Sequence, residues 1–185
     1  MSERAAVFID GGYLGKICPH KIDFSKLVEK ILGEKILYRA YYYNCLPYTP
    51  QKPSIEDDKR LSKALKFYHS LKSIPRFCVR LGKLRLSGYD KDTGSPLFQQ
   101  KRVDLMLGLD ISSIIQTQPR VVDVVVLLTG DGDMLPAVEA ARNANHIVVL
   151  AHGNKNTYDQ ELWNNADERI YIDSAFFNDV AMHRP

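Results

Sequence analysis

The chain has 185 residues, 45% hydrophobic and 25% charged, an ordinary globular composition with enough length to bury a core. A net charge of +3 permits a polyanionic partner without demanding one. The three cysteines (Cys18, Cys45, Cys78) lie in no zinc or CxxC spacing, the start MSERAAVFIDGG carries no signal-peptide pattern, and no apolar run reaches spanning length, which points to a cytoplasmic protein without a membrane segment.

Ala5 to Ile9 reads as a buried strand that ends in a turn, Asp10-Gly11-Gly12. Asp23 caps a helix over 24–32, closed by Gly33. A tyrosine-rich strand covers 36–43, its tyrosines (38, 41, 42 and 43) read as core and sheet packing, and a proline-rich loop covers 44–53. Ser54 and Asp57 form a capping box for a helix to about Ser73. Phe77 to Leu81 is a third strand. The stretch 84–99 breaks the rhythm: 89–96 is turn chemistry between two short β-like pieces, a hairpin insertion.

A helix over 103–115 follows, and then the strongest strand, 121–128, apolar on both faces apart from Asp123. Gly130 to Asp133 is a turn, and 134–143 a helix that tolerates Pro136 in its first turn. Ile147 to Ala151 is a strand, Thr157 and Gln160 cap a short helix, and 169–173 is a final strand. Strands alternating with helices imply one Rossmann-like α/β domain over 1–185, with a mostly parallel sheet. Ligands of such sheets sit beyond the carboxyl ends of the strands, where the strand order reverses.

That rule draws four aspartates together. Asp10 follows the first strand, Asp131 and Asp133 follow the strongest, and Asp104 opens the helix between them. Two unit charges about 4 Å apart repel by roughly 4 kcal/mol at an effective dielectric near 20, so such a group protonates, moves apart or binds a cation. Oxygen ligands of this hardness suit Mg²⁺ or Mn²⁺. Asp133 alone would be explained as a helix cap; the set of four in this order is not. Asp110, six residues past Asp104 and on another side of the helix, is either a supporting residue of the site or a buried structural carboxylate. Asp57, Asp58, Asp90 and Asp92 read as solvated.

The segments FIDGGYL, KRVDLMLGLD, VVLLTGDGDMLPAVEAAR and ELWNNADERIYID resemble the NYN domain family of the PIN-like nuclease group, over nearly the whole chain. The resemblance implies a three-layer PIN-like fold and a metal-dependent ribonuclease. Asp10, Asp104, Asp131 and Asp133 fall on its metal-carrying positions, Thr129 on a position of small hydroxyl residues, and Lys101 also matches. Tyr13 departs from the Asn common there.

The implied reaction is phosphodiester hydrolysis, with Asp10 and Asp131 as central ligands and Asp104 and Asp133 completing the shell. Asn44, at the carboxyl end of its strand, lies within reach of the site. The stretch 76–102 holds seven basic residues, among them Arg85, Lys91, Lys101 and Arg102, interleaved with Phe77, Tyr89 and Phe98, a pattern suited to RNA. A module that binds RNA or a nucleotide without turnover is the alternative, and a homodimer is left open. A haloacid-dehalogenase-type phosphatase is disfavoured, because Gly12 stands where its general-acid Asp belongs.

Overall fold

The structure, a computed structural model, describes residues 2–91 and 93–182. Seven strands form one sheet in the order β4-β3-β2-β1-β5-β6-β7. They are β1 (Arg4–Asp10), β2 (Ile36–Cys45), β3 (Phe77–Tyr89), β4 (Pro96–Lys101), β5 (Val124–Leu128), β6 (Ile147–His152) and β7 (Glu168–Tyr171). All neighbours are parallel except β3 and β4, which pair antiparallel. The strand order reverses between β1 and β5, so the ligand crevice of such a sheet opens at their carboxyl ends.

The helices are α1 (Gly11–Ile17), α2 (Phe24–Leu32), α3 (Ile55–Lys72), α4 (Val103–Ile115), α5 (Leu135–Asn143), α6 (Gln160–Asn165) and α7 (Ser174–Asp179). Two apolar clusters separate them into layers. One packs α1, α2, α3 and α7 against one face of the sheet through Leu14, Leu27, Ile31, Tyr68, Leu71 and Phe177. The other packs α4, α5 and α6 against the opposite face through Leu107, Ile111, Val138 and Leu162. Every residue of β5 is buried, as a strand covered on both faces requires. Tyr41, Tyr42 and Tyr43 are buried as well. Among the described residues no helix is long and apolar enough to cross a membrane.

Several boundaries differ from those the sequence predicts. Residues 11–17 are helix α1, not just a turn: Asp10 caps it, and buried Tyr13 and Leu14 outweigh the poor helix propensity of three glycines. Strand β3 runs straight on into the hairpin instead of stopping at Leu81. Strand β5 starts at Val124; Asp123 just before it still bonds both neighbouring strands through its backbone, donating to the Arg4 carbonyl and accepting from the Ile147 amide, while its carboxylate accepts from the Arg4 amide. Helix α6 is capped by Asp159, whose carboxylate accepts from the Glu161 and Leu162 amides, rather than by Thr157 and Gln160. Strand β7 ends at Tyr171, and Asp173 caps α7, a helix the apolar pattern did not announce.

Candidate active site

Asp10 ends β1 and caps α1 in one stroke. Its Oδ1 accepts from the amides of Gly12 (2.8 Å) and Tyr13 (3.1 Å), which fixes the carboxylate at the edge of the sheet. The β1–β5 register pairs Ile9 with Leu128, so the next residues, Asp10 and Thr129, stand level across the seam. The buried Thr129 hydroxyl donates to Asp10 Oδ2 at 3.3 Å and accepts from the Asp131 amide at 3.2 Å. Asp131 in turn caps the 3-10 turn Gly132–Met134, its Oδ1 accepting from the Asp133 amide at 3.0 Å. A chain of hydrogen bonds thus runs from Asp10 through Thr129 to Asp131 and Asp133.

Asp104 arrives from a different direction. A Cβ on Gly82 would stand 2.6 Å from the Lys101 carbonyl and 2.7 Å from Val103 Cγ2, so the β4–α4 junction lies directly on β3. Gly82 pairs with Cys45, the last residue of β2, and this seats the first turn of α4 by the carboxyl edge. Asp104 is exposed as a residue, yet its carboxyl titrates above the ordinary aspartate range. Partial desolvation is the larger cause, and the charges of Asp131, Asp10 and Asp133 add to it in that order. The four predicted carboxylates therefore share one electrostatic neighbourhood. As arranged, however, no group of three or more His, Cys, Asp or Glu side chains among the described residues could hold a metal ion.

The remaining predicted residues divide. Asn44 reaches the edge: a Cβ on Gly11 would come within 2.7 Å of its Nδ2, which donates to the Tyr42 hydroxyl. Asp110 is tied elsewhere. It accepts from Tyr43 Oη at 2.8 Å and from the Arg80 guanidinium at 3.0 and 3.3 Å, which binds α4 to β2 and β3. Tyr13 donates its amide to Asp10, but its hydroxyl is committed elsewhere: it accepts from the Gly153 amide at 2.9 Å and lies 3.0 Å from Thr157 Oγ1. Asp159 escaped the sequence reading. A Cβ on Gly132 would stand 2.9 Å from its Cγ, which places a fifth carboxylate beside the 131–133 turn. That contact crosses from another helix cap and leaves no trace in local spacing.

The hairpin sorts its side chains by face. Cross-strand partners share a face, and the register pairs Lys83 with Lys101 and Arg85 with Gln99, but Leu86 with Phe98. Lys83, Arg85 and Lys101 thus line one face, and Leu84, Leu86 and Phe98 the other, where Phe98 meets Tyr48 with ring centroids 5.1 Å apart. The interleaving of basic and aromatic residues seen along the chain is not an interleaved surface. Among the described residues none of Lys83, Arg85, Lys101 and Arg102 forms an ion pair. Arg102 holds a left-handed backbone (φ 76°) at the start of α4 and makes no side-chain cap. Lys91 is exposed in the hairpin turn, where Asp90 accepts from Thr93; Asp92 lies outside the described residues.

An α/β sheet with an acidic carboxyl edge at its switch point defines a class of protein, and the comparisons narrow it. The NYN domain profile matches residues 4–173. The chain belongs to the NYN domain family, a nuclease-like group. A crystal structure of a protein of unknown function from Vibrio parahaemolyticus RIMD 2210633 is similar in fold, with 23% identity and a TM-score of 0.65, over 95% of this chain and 96% of that one. No curated protein matches.

Proposed function

We propose that this chain is a divalent-metal-dependent ribonuclease, a single domain of PIN-like fold over 1–185, with Asp10, Asp104, Asp131 and Asp133 as its metal-binding and catalytic carboxylates. The observation that carries the reading is the chain of hydrogen bonds from Asp10 through Thr129 to Asp131 and Asp133 at the switch point, beside an Asp104 near enough to feel their charges. Carboxylates from three separate segments come to one edge of the sheet, at the switch point, near enough to act on Asp104 electrostatically, and no Lys or Arg among the ion pairs of the described residues neutralises them.

The donor set fits Mg²⁺ or Mn²⁺ in chemistry: hard oxygens, with Asp131 Oδ2 and the Asp104 carboxylate free of hydrogen bonds among the described residues. Its spacing is open, so occupancy requires the exposed Asp104, Asp131 and Asp133 side chains to rotate toward the anchored Asp10. When bound, the ion supplies Lewis-acid polarisation of the scissile phosphate and offsets its charge. Asp10 is held by two amides and by Thr129, so it keeps its position as the others adjust. Thr129 Oγ1 orients Asp10 Oδ2 and steadies the Asp131 backbone. Lys101, Arg102, Arg85 and Lys91 supply positive charge for the RNA backbone rather than chemistry. Asn44 positions substrate at the edge, and Asp110 braces α4.

The test is Mn²⁺-dependent cleavage of single-stranded RNA by rigorously purified protein. The activity should vanish in Asp10→Asn and Asp131→Asn, both of which keep a capping oxygen. Cleavage that survives either substitution, or that ignores chelation, refutes the assignment. The open spacing favours a second reading, an RNA-binding module without turnover, and full RNA affinity with no cleavage in any divalent ion would select it.

A further inference from the structure

A cleft of about 460 Å³ lies between α1 and α3, bordered at one end by Gly11, the residue that follows Asp10. It belongs to no part of the carboxylate set. Its wall on α3 is Phe67, a large apolar side chain left 37% exposed, which leans on Tyr42 at 5.9 Å between ring centroids. Lys21 and Lys63 also line the cleft; neither forms an ion pair among the described residues, and no lining residue is a carboxylate.

Two features distinguish this space from an ordinary packing gap. Tyr42 is almost fully buried, and its hydroxyl accepts from Asn44, yet its own hydrogen has no acceptor among the described residues. Gly15 lines the cleft within helix α1, and a Cβ there would meet nothing within 4 Å. Packing does not demand glycine, and its backbone is helical; glycine in a helix is a cost that alanine would remove. The absent side chain leaves open the wall that α1 gives to the cleft it shares with Phe67.

We propose that this cleft takes one unpaired nucleobase of a single-stranded RNA bound at the carboxyl edge, a deepening that rests on the ribonuclease reading above. The base lies against Phe67, its edge accepts from the Tyr42 hydroxyl, and the flanking phosphates are met by Lys21 and Lys63. A mostly apolar cleft with one buried donor and cations at hand suits a base with its phosphates, not an anion alone or a base pair. RNA is thereby registered on the Asp10 side of the site by a stacked base, independently of the basic hairpin.

The experiment uses fluorescent single-stranded RNA oligomers in EDTA, intact or with one abasic position moved along the strand. One abasic register should weaken binding to the wild-type protein about tenfold, the scale of one base–aromatic stack. Phe67→Ala should lose about the same factor on intact RNA and become indifferent to that abasic site. Gly15→Leu, which fills the cleft while improving helix propensity, should bind more weakly with an undiminished melting temperature. A flat abasic scan with intact wild-type affinity overturns the subsite and leaves the ribonuclease reading standing. No RNA affinity at all overturns both. A wild-type dimer that Gly15→Leu converts to monomer assigns the cleft to a second copy of the chain and overturns the base site.

Discussion

The Thr129 hydroxyl donates to Asp10 Oδ2 across the β1–β5 seam, and this one contact couples the two strand ends on which the acidic edge is built. The same oxygen accepts from the Asp131 amide. Thr129→Val keeps the shape and removes both bonds, at a cost of about 1 kcal/mol for a buried pair. Thr129→Ser should restore most of it. Urea melts in EDTA measure the loss. The stabilisation added by Mn²⁺ should fall further in the Val variant, because Asp10 and Asp131 are no longer held in register. A Val variant as stable as wild type and equally responsive to Mn²⁺ would show that the coupling is idle.

Asp104→Asn should make the metal-free protein more stable at neutral pH. The folded-state pKa of Asp104 is raised, so the folded protein holds its proton more tightly than the unfolded chain does. The associated stability is present below the ordinary aspartate pKa and is lost as pH rises through the raised value. Asparagine cannot ionise and escapes that loss. The gain over wild type should therefore appear above the raised pKa and vanish toward about pH 3, below the ordinary carboxylate range. Melting temperatures across this span, in EDTA, check it. A variant less stable than wild type at neutral pH would mean that Asp104 serves the helix terminus more than it suffers from its neighbours.

Much of this edge is legible in the sequence, since strand ends and helix starts are local signals. Asp10 and Asp131 terminate apolar runs, and parallel strands put such ends together. What local spacing hides is the far side of each contact. Spacing leaves Asp110 open between supporting the site and a structural role, and it is Arg80 and Tyr43, from two other strands, that settle it as structural. Asp159 reaches the 131–133 turn from the cap of α6. The hairpin's charges and rings alternate in sequence, and strand parity sends them to opposite faces.

Tyr13 and Gly130 should prove interdependent. A Cβ at Gly130 would stand 2.4 Å from the Tyr13 ring and 2.2 Å from the Thr157 carbonyl. Gly130→Ala should cost about 1–3 kcal/mol through overpacking. Tyr13→Phe should cost about 1–3 kcal/mol, because the buried Gly153 amide loses its acceptor. Combining Gly130→Ala with Tyr13→Ala should cost less than the sum of the two single changes, as the ring that clashes is gone; a double-mutant cycle in urea reads the coupling. Strict additivity would place the clash wholly on the Thr157 carbonyl.

The cation face of the hairpin, rather than its aromatic face, should carry the salt dependence of RNA binding. Lys83 and Lys101 sit directly opposite each other, with Arg85 next on the same face, and like charges so placed repel. A polyanion relieves that repulsion, and each phosphate contact made on a single strand contributes up to about 0.7 to the slope of log affinity against log salt. Replacing Lys83, Arg85 and Lys101 together with Ala should therefore weaken binding, flatten the slope by up to about 2 over three contacts, and leave the free protein no less stable. Replacing Leu86 and Phe98 on the opposite face should leave the slope unchanged. Cleavage at saturating RNA should hold in both variants, because binding energy shared by ground and transition states alters the Michaelis constant more than turnover. Affinity titrations at several salt concentrations beside single-turnover cleavage decide it. An unchanged slope in the cation variant makes the hairpin a bystander. A collapse of saturated cleavage instead brings Lys101, three residues before Asp104, to the reacting phosphate.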